Sequence, residues 1–218
     1  MRGGGKDVFR VPCFVQTSEP LRAKVTEHGA RSTLTFRNRQ RDQRLNLPFL
    51  RRVLLHVLAS CSRRGQEAEL SDDHNASASS PRRLRTDVHD LCFHFVTAEA
   101  MARVNWQFLQ HEGSTDVITF DHSQPMAPSP DPRRHPPSPL SGEAFICVAD
   151  AVKQAREFKT SWQSEVIRYA VHAVLHLRGY DDLQPAKRRV MKREENRLMR
   201  ELAAAFDLSQ LGTQNPKP

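Results

Sequence analysis

The sequence predicts an α+β domain: a single four-stranded mixed sheet with helices packed on it. Three observations point there. Four short segments carry a strand signature, either apolar–polar alternation or β-branched and aromatic runs. Longer segments with apolar residues at helical spacing lie between and after them. The strands interleave with helices first, and helices alone close the chain. A length of 218 residues suits one such domain with a buried core.

The elements follow in order. Residues 1–31 include Gly3-Gly4-Gly5, mix charges and show no period, which predicts a disordered extension before a single domain over 32–206. Residues 32–38 alternate Leu34 and Phe36 with polar neighbours, a first strand. Pro48 suits the first turn of a helix over 49–60, where Leu50, Val53, Leu54, Val57 and Leu58 share a face. Residues 63–87 are polar, Ser-rich and aperiodic, a long surface insertion. Leu91, Phe93 and Phe95 alternate in a second strand, and Thr97 is placed to cap a helix that runs to Leu109. Residues 115–120 form a β-branched and aromatic third strand. Residues 123–140 hold half of the chain's 14 prolines, so they predict a second insertion rather than a helix or a strand interior. A fourth strand covers 143–148. Helices follow over 150–159, over 164–179 and from Pro185 to about Phe206, with 207–218 as a flexible tail.

Composition excludes some function classes. Lys and Arg total 33 against 25 Asp and Glu, and the net charge of +8 favours a polyanionic partner. No apolar run reaches the ~18–20 residues of a membrane helix, so no membrane role is expected. Cys13, Cys61, Cys92 and Cys147 are scattered without a Cys-x-x-Cys pair. They read as small hydrophobes in a reducing cytosol, not as a disulfide framework or a thiolate zinc site. No charged-then-apolar signal pattern precedes them, and a cytoplasmic location is expected.

The sharpest chemical signal is VHAVLHLRGYDD over 171–182. His172 and His176 stand four apart on a predicted helix, so they share one face. That spacing lets two imidazoles bind one Zn²⁺ ion. Gly179 can take the left-handed conformation that stops the helix, and Asp182 then arrives as a third ligand. Three protein ligands with a fourth position open to water is the arrangement of catalytic zinc. Ile167, Val171, Val174 and Leu175 cover the neighbouring face and should anchor the helix to the sheet. Ala173 follows His172, where the zinc peptidases carry the Glu of His-Glu-x-x-His, which counts against peptide hydrolysis.

The stretch His172-Ala173-Val174-Leu175-His176-Leu177-Arg178-Gly179-Tyr180-Asp181-Asp182 resembles the signature of the YbeY family of bacterial rRNA-maturation endoribonucleases, His-Gly-x-Leu-His-Leu-x-Gly-Tyr-Asp-His. Met101-Ala102-Arg103-Val104-Asn105 is similar to the family helix ending in Leu-Asn. Ser114-Thr115-Asp116-Val117-Ile118-Thr119-Phe120 resembles its Pro-Thr-Asp-Val-Leu-Ser-Phe strand, and Gly142-Glu143-Ala144-Phe145-Ile146-Cys147 its Gly-Asp-Ile strand. Asn38-Arg39-Gln40 matches the end of the first strand. The resemblance implies a zincin-like metal helix and a zinc-dependent endoribonuclease specific for single strands. It would act in maturation of the 3′ end of 16S rRNA and in ribosome quality control, with RNA and the small ribosomal subunit as partners. His172, His176 and Asp182 would hold one Zn²⁺, and Asp116, Glu143 and Asp181 are candidates for moving a proton.

Three departures stand out. Asp182 replaces the third His and adds negative charge, Leu109 replaces an Arg thought to contact RNA, and Glu143 replaces Asp. Arg103 and Arg156 are neighbours that could take over the role of that Arg. The second reading is a non-catalytic, metal-stabilised ribosome assembly factor, and Leu109 and Asp182 feed it. The last predicted helix carries Lys187, Arg188, Arg189, Lys192, Arg193, Arg197 and Arg200, with Met191, Leu198, Leu202 and Phe206 as its core-facing stripe. Lys187, Arg188, Lys192 and Arg193 are therefore expected near the metal, holding the RNA backbone. Arg37, Arg39, Arg41, Arg44, Arg51 and Arg52 form a second basic group. Trp106, Phe108 and Tyr180 are the aromatics available for stacking on unpaired bases.

Overall fold

The computed structural model of the chain describes residues 14–16, 33–70, 90–123 and 140–212. The elements are β1 (Phe14–Gln16), β2 (Thr33–Asn38), α1 (Leu47–Leu70), β3 (Asp90–Val96), α2 (Ala98–Leu109), β4 (Val117–Asp121), β5 (Ser141–Cys147), α3 (Val148–Phe158), α4 (Trp162–Leu177), α5 (Pro185–Ala205) and a 3₁₀ turn (Leu208–Leu211). The sheet runs β1-β4-β5-β3-β2. Every neighbouring pair is parallel except β4 with β5, so the sheet is mixed. The four predicted strands form its body. A short fifth strand, β1, extends the β4 edge from within the expected 1–31 extension. The rest of that extension lies outside the described residues.

The pleat sorts side chains to two faces. Leu34, Leu91, Phe93, Phe95, Ala144 and Ile146 join α1, α4 and α5 in the main core. The alternate residues Val96, Ile118, Phe120 and Cys147 meet Met101 of α2 on the other face. Thr97 caps α2 as expected, its hydroxyl accepting the Ala100 N–H at 3.3 Å. Ser161 does the same for α4 through the Ser164 N–H, so that helix starts at Trp162. Ile167, Val171, Val174 and Leu175 are fully buried.

Two expectations are corrected. Residues 63–70, read as the start of a surface insertion, continue α1. Gln66, Glu67, Ala68, Glu69 and Leu70 are strong helix formers, and a polar helix shows no apolar period to announce itself. Residues 71–87 and 124–139 lie outside the described residues. The tail expected over 207–218 is structured through residue 212. Leu211 is fully buried in the main core, and Gly212 bridges to Leu45. One apolar residue that reaches the core is enough to tether a short polar segment.

Gly142 sets how closely α4 lies on the sheet. A β-carbon there would stand 2.6 Å from the Phe120 carbonyl oxygen and 2.7 Å from Leu177 Cδ2. The backbone oxygen cannot yield as a side chain does, so Gly142→Ala should cost about 1–3 kcal/mol by overpacking. Chemical denaturation reads this out. An unchanged midpoint would mean that the end of α4 has slack.

Candidate metal centre

α4 is buried over nearly its whole length, and its two histidines with it, at 5 % and 4 % exposure. Buried polar groups need partners. His172 Nδ1 lies 3.0 Å from Glu195 Oε2, and His176 Nδ1 lies 3.1 Å from the Tyr180 carbonyl oxygen. A carboxylate and a carbonyl only accept, so both rings donate from Nδ1. The two Nε2 atoms face each other at 3.0 Å. Burial, then the neighbouring His172, push the His176 pKa down to about 4, so the ring is neutral at pH 7.

The third group arrives through the helix stop. Gly179 sits at φ +86°, its N–H donates to the His176 carbonyl at 2.8 Å, and the Tyr180 N–H donates to the Leu175 carbonyl at 3.0 Å. This pair of bonds is the Schellman ending, and it turns the chain back over the helix. Asp182, 7 % exposed, then places Oδ2 3.8 Å from His172 Nε2 and Oδ1 3.8 Å from His176 Nε2. Arg188 holds that loop, donating from Nε to the Asp182 carbonyl at 2.8 Å. One ligand atom from each of His172, His176 and Asp182 falls within 4.8 Å of the others. Two imidazoles and a carboxylate fit a divalent ion of the zinc type.

Behind His172 stands a partner that the sequence reading missed. Glu195 is 1 % exposed and accepts from Arg168 Nη1 at 2.8 Å and Lys192 Nζ at 2.7 Å, besides its contact with His172. Burial raises its pKa, but His172 and Lys192 outweigh burial and hold it below the usual carboxylate range. In the sequence Glu195 lies between Arg193 and Arg197 and only interrupts a basic run. The only signal available was an acid inside the apolar stripe of an amphipathic helix.

The other candidates lie in different surroundings. Asp181 shares the ligand loop and pairs with Lys187 at 3.1 Å. Asp116 is buried and committed to its own turn, accepting from the Thr115 hydroxyl and the Val117 N–H. Glu143 alternates with Gly142 and Ala144, which face α4, so it points to the opposite face of the sheet. There it stands 3.6 Å from His94, whose ring stacks on Phe145. Leu109 packs into the second core cluster, and Arg103 and Arg156 are exposed. Trp106 and Phe108 are exposed, whereas Tyr180 packs on the main core.

His94 and Glu143 make a pH prediction. Burial lowers the His94 pKa, but Cys92 and Glu143 raise it more, from 6.5 to about 9. Arg37 and His122 also face this pair through Glu143, and His94 itself is the strongest influence lowering the Glu143 pKa. The folded His94 value exceeds the unfolded one, so its stabilisation is complete below 6.5 and is lost as pH climbs to about 9. Unfolding temperature should fall across that window, and His94→Gln should flatten the fall. An equal slope in the variant would place its origin elsewhere.

Comparisons with known proteins agree on one family. The family model for endoribonuclease YbeY matches residues 66–203. The endoribonuclease YbeY of Chlorobium phaeovibrioides is 34% identical over 104 residues, 48% of this chain and 62% of that protein. That of Parabacteroides distasonis is 33% identical over 110 residues, 50% of this chain and 69% of that protein. That of Bacteroides thetaiotaomicron is 32% identical over 125 residues, 57% of this chain and 80% of that protein. The chain thus covers a little under two thirds of the first relative and more of the other two. With a family match over more than half its length, the chain belongs to the YbeY endoribonuclease family.

Proposed function

We propose that this chain is a zinc-dependent, single-strand-specific endoribonuclease acting in the cytoplasm on the 3′ end of 16S rRNA and in ribosome quality control. The observation that carries the reading is the convergence of three groups in a chain of an endoribonuclease family: the Nε2 atoms of His172 and His176 lie 3.0 Å apart, and each has a carboxylate oxygen of Asp182 at 3.8 Å. A bound Zn²⁺ would supply a Lewis acid for a phosphoryl oxygen and lower the pKa of a water. The protein's own part is positional. Glu195 and the Tyr180 carbonyl orient the two rings, and Arg188 holds the loop that presents Asp182. The Asp182 charge reduces the net charge of the centre and makes it a milder Lewis acid than a third His would. Asp181, next in the chain to that ligand, is the candidate best placed to take a proton.

The test is cleavage of an RNA carrying the unpaired 3′ end of 16S rRNA by zinc-loaded protein, with a fully paired RNA as control. Cuts confined to unpaired RNA, and none with His176→Ala, are expected. The placement of Leu109 in an apolar cluster favours the second reading, an assembly factor. Zinc-saturated protein that binds this RNA and never cuts it would establish that reading instead.

A further inference from the structure

The structure divides the cations of α5 into two sets. Lys187 pairs with Asp181, Arg188 with the Asp182 carbonyl and Lys192 with Glu195. These three brace the metal centre. Arg189 and Arg193 are exposed, and their side chains make no hydrogen bond or ion pair among the described residues. Arg200 is exposed too, and donates from Nε to a main-chain oxygen, that of Asn196, at 3.2 Å. At 100° per residue these three fall within an arc of about 40°, on the side opposite Met191, Leu198 and Leu202. The acids of this helix stretch point elsewhere, since Glu194 and Glu195 are buried.

Arg200, at the end of that stripe, lines a groove. Between α4 and α5 runs an open cleft of about 390 Å³, with walls from Ser164, Arg168, Asn196 and Arg200 and a floor that includes Met199. Its charged and hydrogen-bonding walls hold two guanidinium groups. Arg168 also donates to Glu195, the residue that orients His172, so one side chain links the groove to the metal centre. A cleft with two guanidinium groups, tied through Arg168 and Glu195 to a ligand of the metal centre, matches an extended polyanion.

We infer that the α4–α5 groove is the track of the RNA strand, with Arg189, Arg193 and Arg200 holding its phosphates. The inference rests on the endoribonuclease reading. The sequence alone had assigned this task to Lys187, Arg188, Lys192 and Arg193, and of these only Arg193 is free to do it.

The test is binding of a fluorescent oligouridine to the zinc-loaded full chain, measured across salt concentrations. Arg193→Glu with Arg200→Glu should flatten the dependence of log affinity on log salt by about 1.4, at about 0.7 per single-strand phosphate contact. Arg193→Gln with Arg200→Gln should act in the same direction without adding acids. Zinc content and unfolding temperature should stay as in wild type. Arg37→Glu with Arg39→Glu makes the same charge change on β2 and beyond, and should flatten the slope less. An unchanged slope in the groove pair, or equal flattening in both pairs, overturns the groove assignment. Wild-type protein that binds no oligouridine at low salt overturns the endoribonuclease reading and the groove with it.

Discussion

His176→Ala is expected to purify with little zinc where the wild type holds about one equivalent, and to lose RNA cleavage with it. The variant leaves one imidazole and one carboxylate, too few to hold a zinc ion against solvent. In chelator the variant should lose only the packing around one ring and its bond to the Tyr180 carbonyl. Added zinc should then raise the wild-type unfolding temperature alone. At a hundredfold excess over the dissociation constant the gain should be about 2.7 kcal/mol. Undiminished zinc in His176→Ala, or in the variant lacking all of His172, His176 and Asp182, would sink the ligand assignment.

Glu195→Gln should weaken zinc binding by roughly 10–100-fold, the range for partners that orient a metal-bound histidine. The amide keeps the shape of the side chain but loses the charge that Arg168 and Lys192 both contact. It can also turn its NH₂ toward His172, which would demand the other tautomer and spoil Nε2 as a ligand. Competition against a chelator measures the affinity, and thermal unfolding of the metal-free form measures packing separately. A lower unfolding temperature with unchanged zinc affinity would make Glu195 a packing residue only. Lys192→Gln leaves Arg168 and His172 on Glu195, and should weaken zinc less than Glu195→Gln does.

Much of this protein was legible along the chain because the signals are local. The alternation in 90–96, the helical spacing around Leu50 to Leu58, the Thr97 cap and the Pro185 start each depend on residues within one or two turns. So does the candidate centre. Helix pitch puts His172 and His176 on one face, and Gly179 at φ +86° returns the chain so that Asp182 meets them. Where the local signal was weak the boundaries moved. The polar end of α1 shows no apolar period, and a three-residue strand such as β1 is too short to alternate visibly.

What the chain order could not carry is everything that depends on which distant elements touch. Glu195 stands 23 positions from His172, and only the packing of α5 on α4 brings them to 3.0 Å. Gly142 is an ordinary strand residue until Leu177 is found above it. Glu143 reads as a neighbour of the site, yet the pleat turns it to the other face of the sheet beside His94. The cations of α5 form one run in sequence, and the fold divides them into Lys187, Arg188 and Lys192, which are bonded around the candidate centre, and the exposed Arg189, Arg193 and Arg200. By itself the sequence determined most of the elements, the turn and the candidate cluster of His172, His176 and Asp182, because backbone geometry over a few residues suffices for those. Only the tertiary structure decided the orienting carboxylate, the face of each strand residue and the free charges, because these follow from contacts between segments that local geometry does not relate.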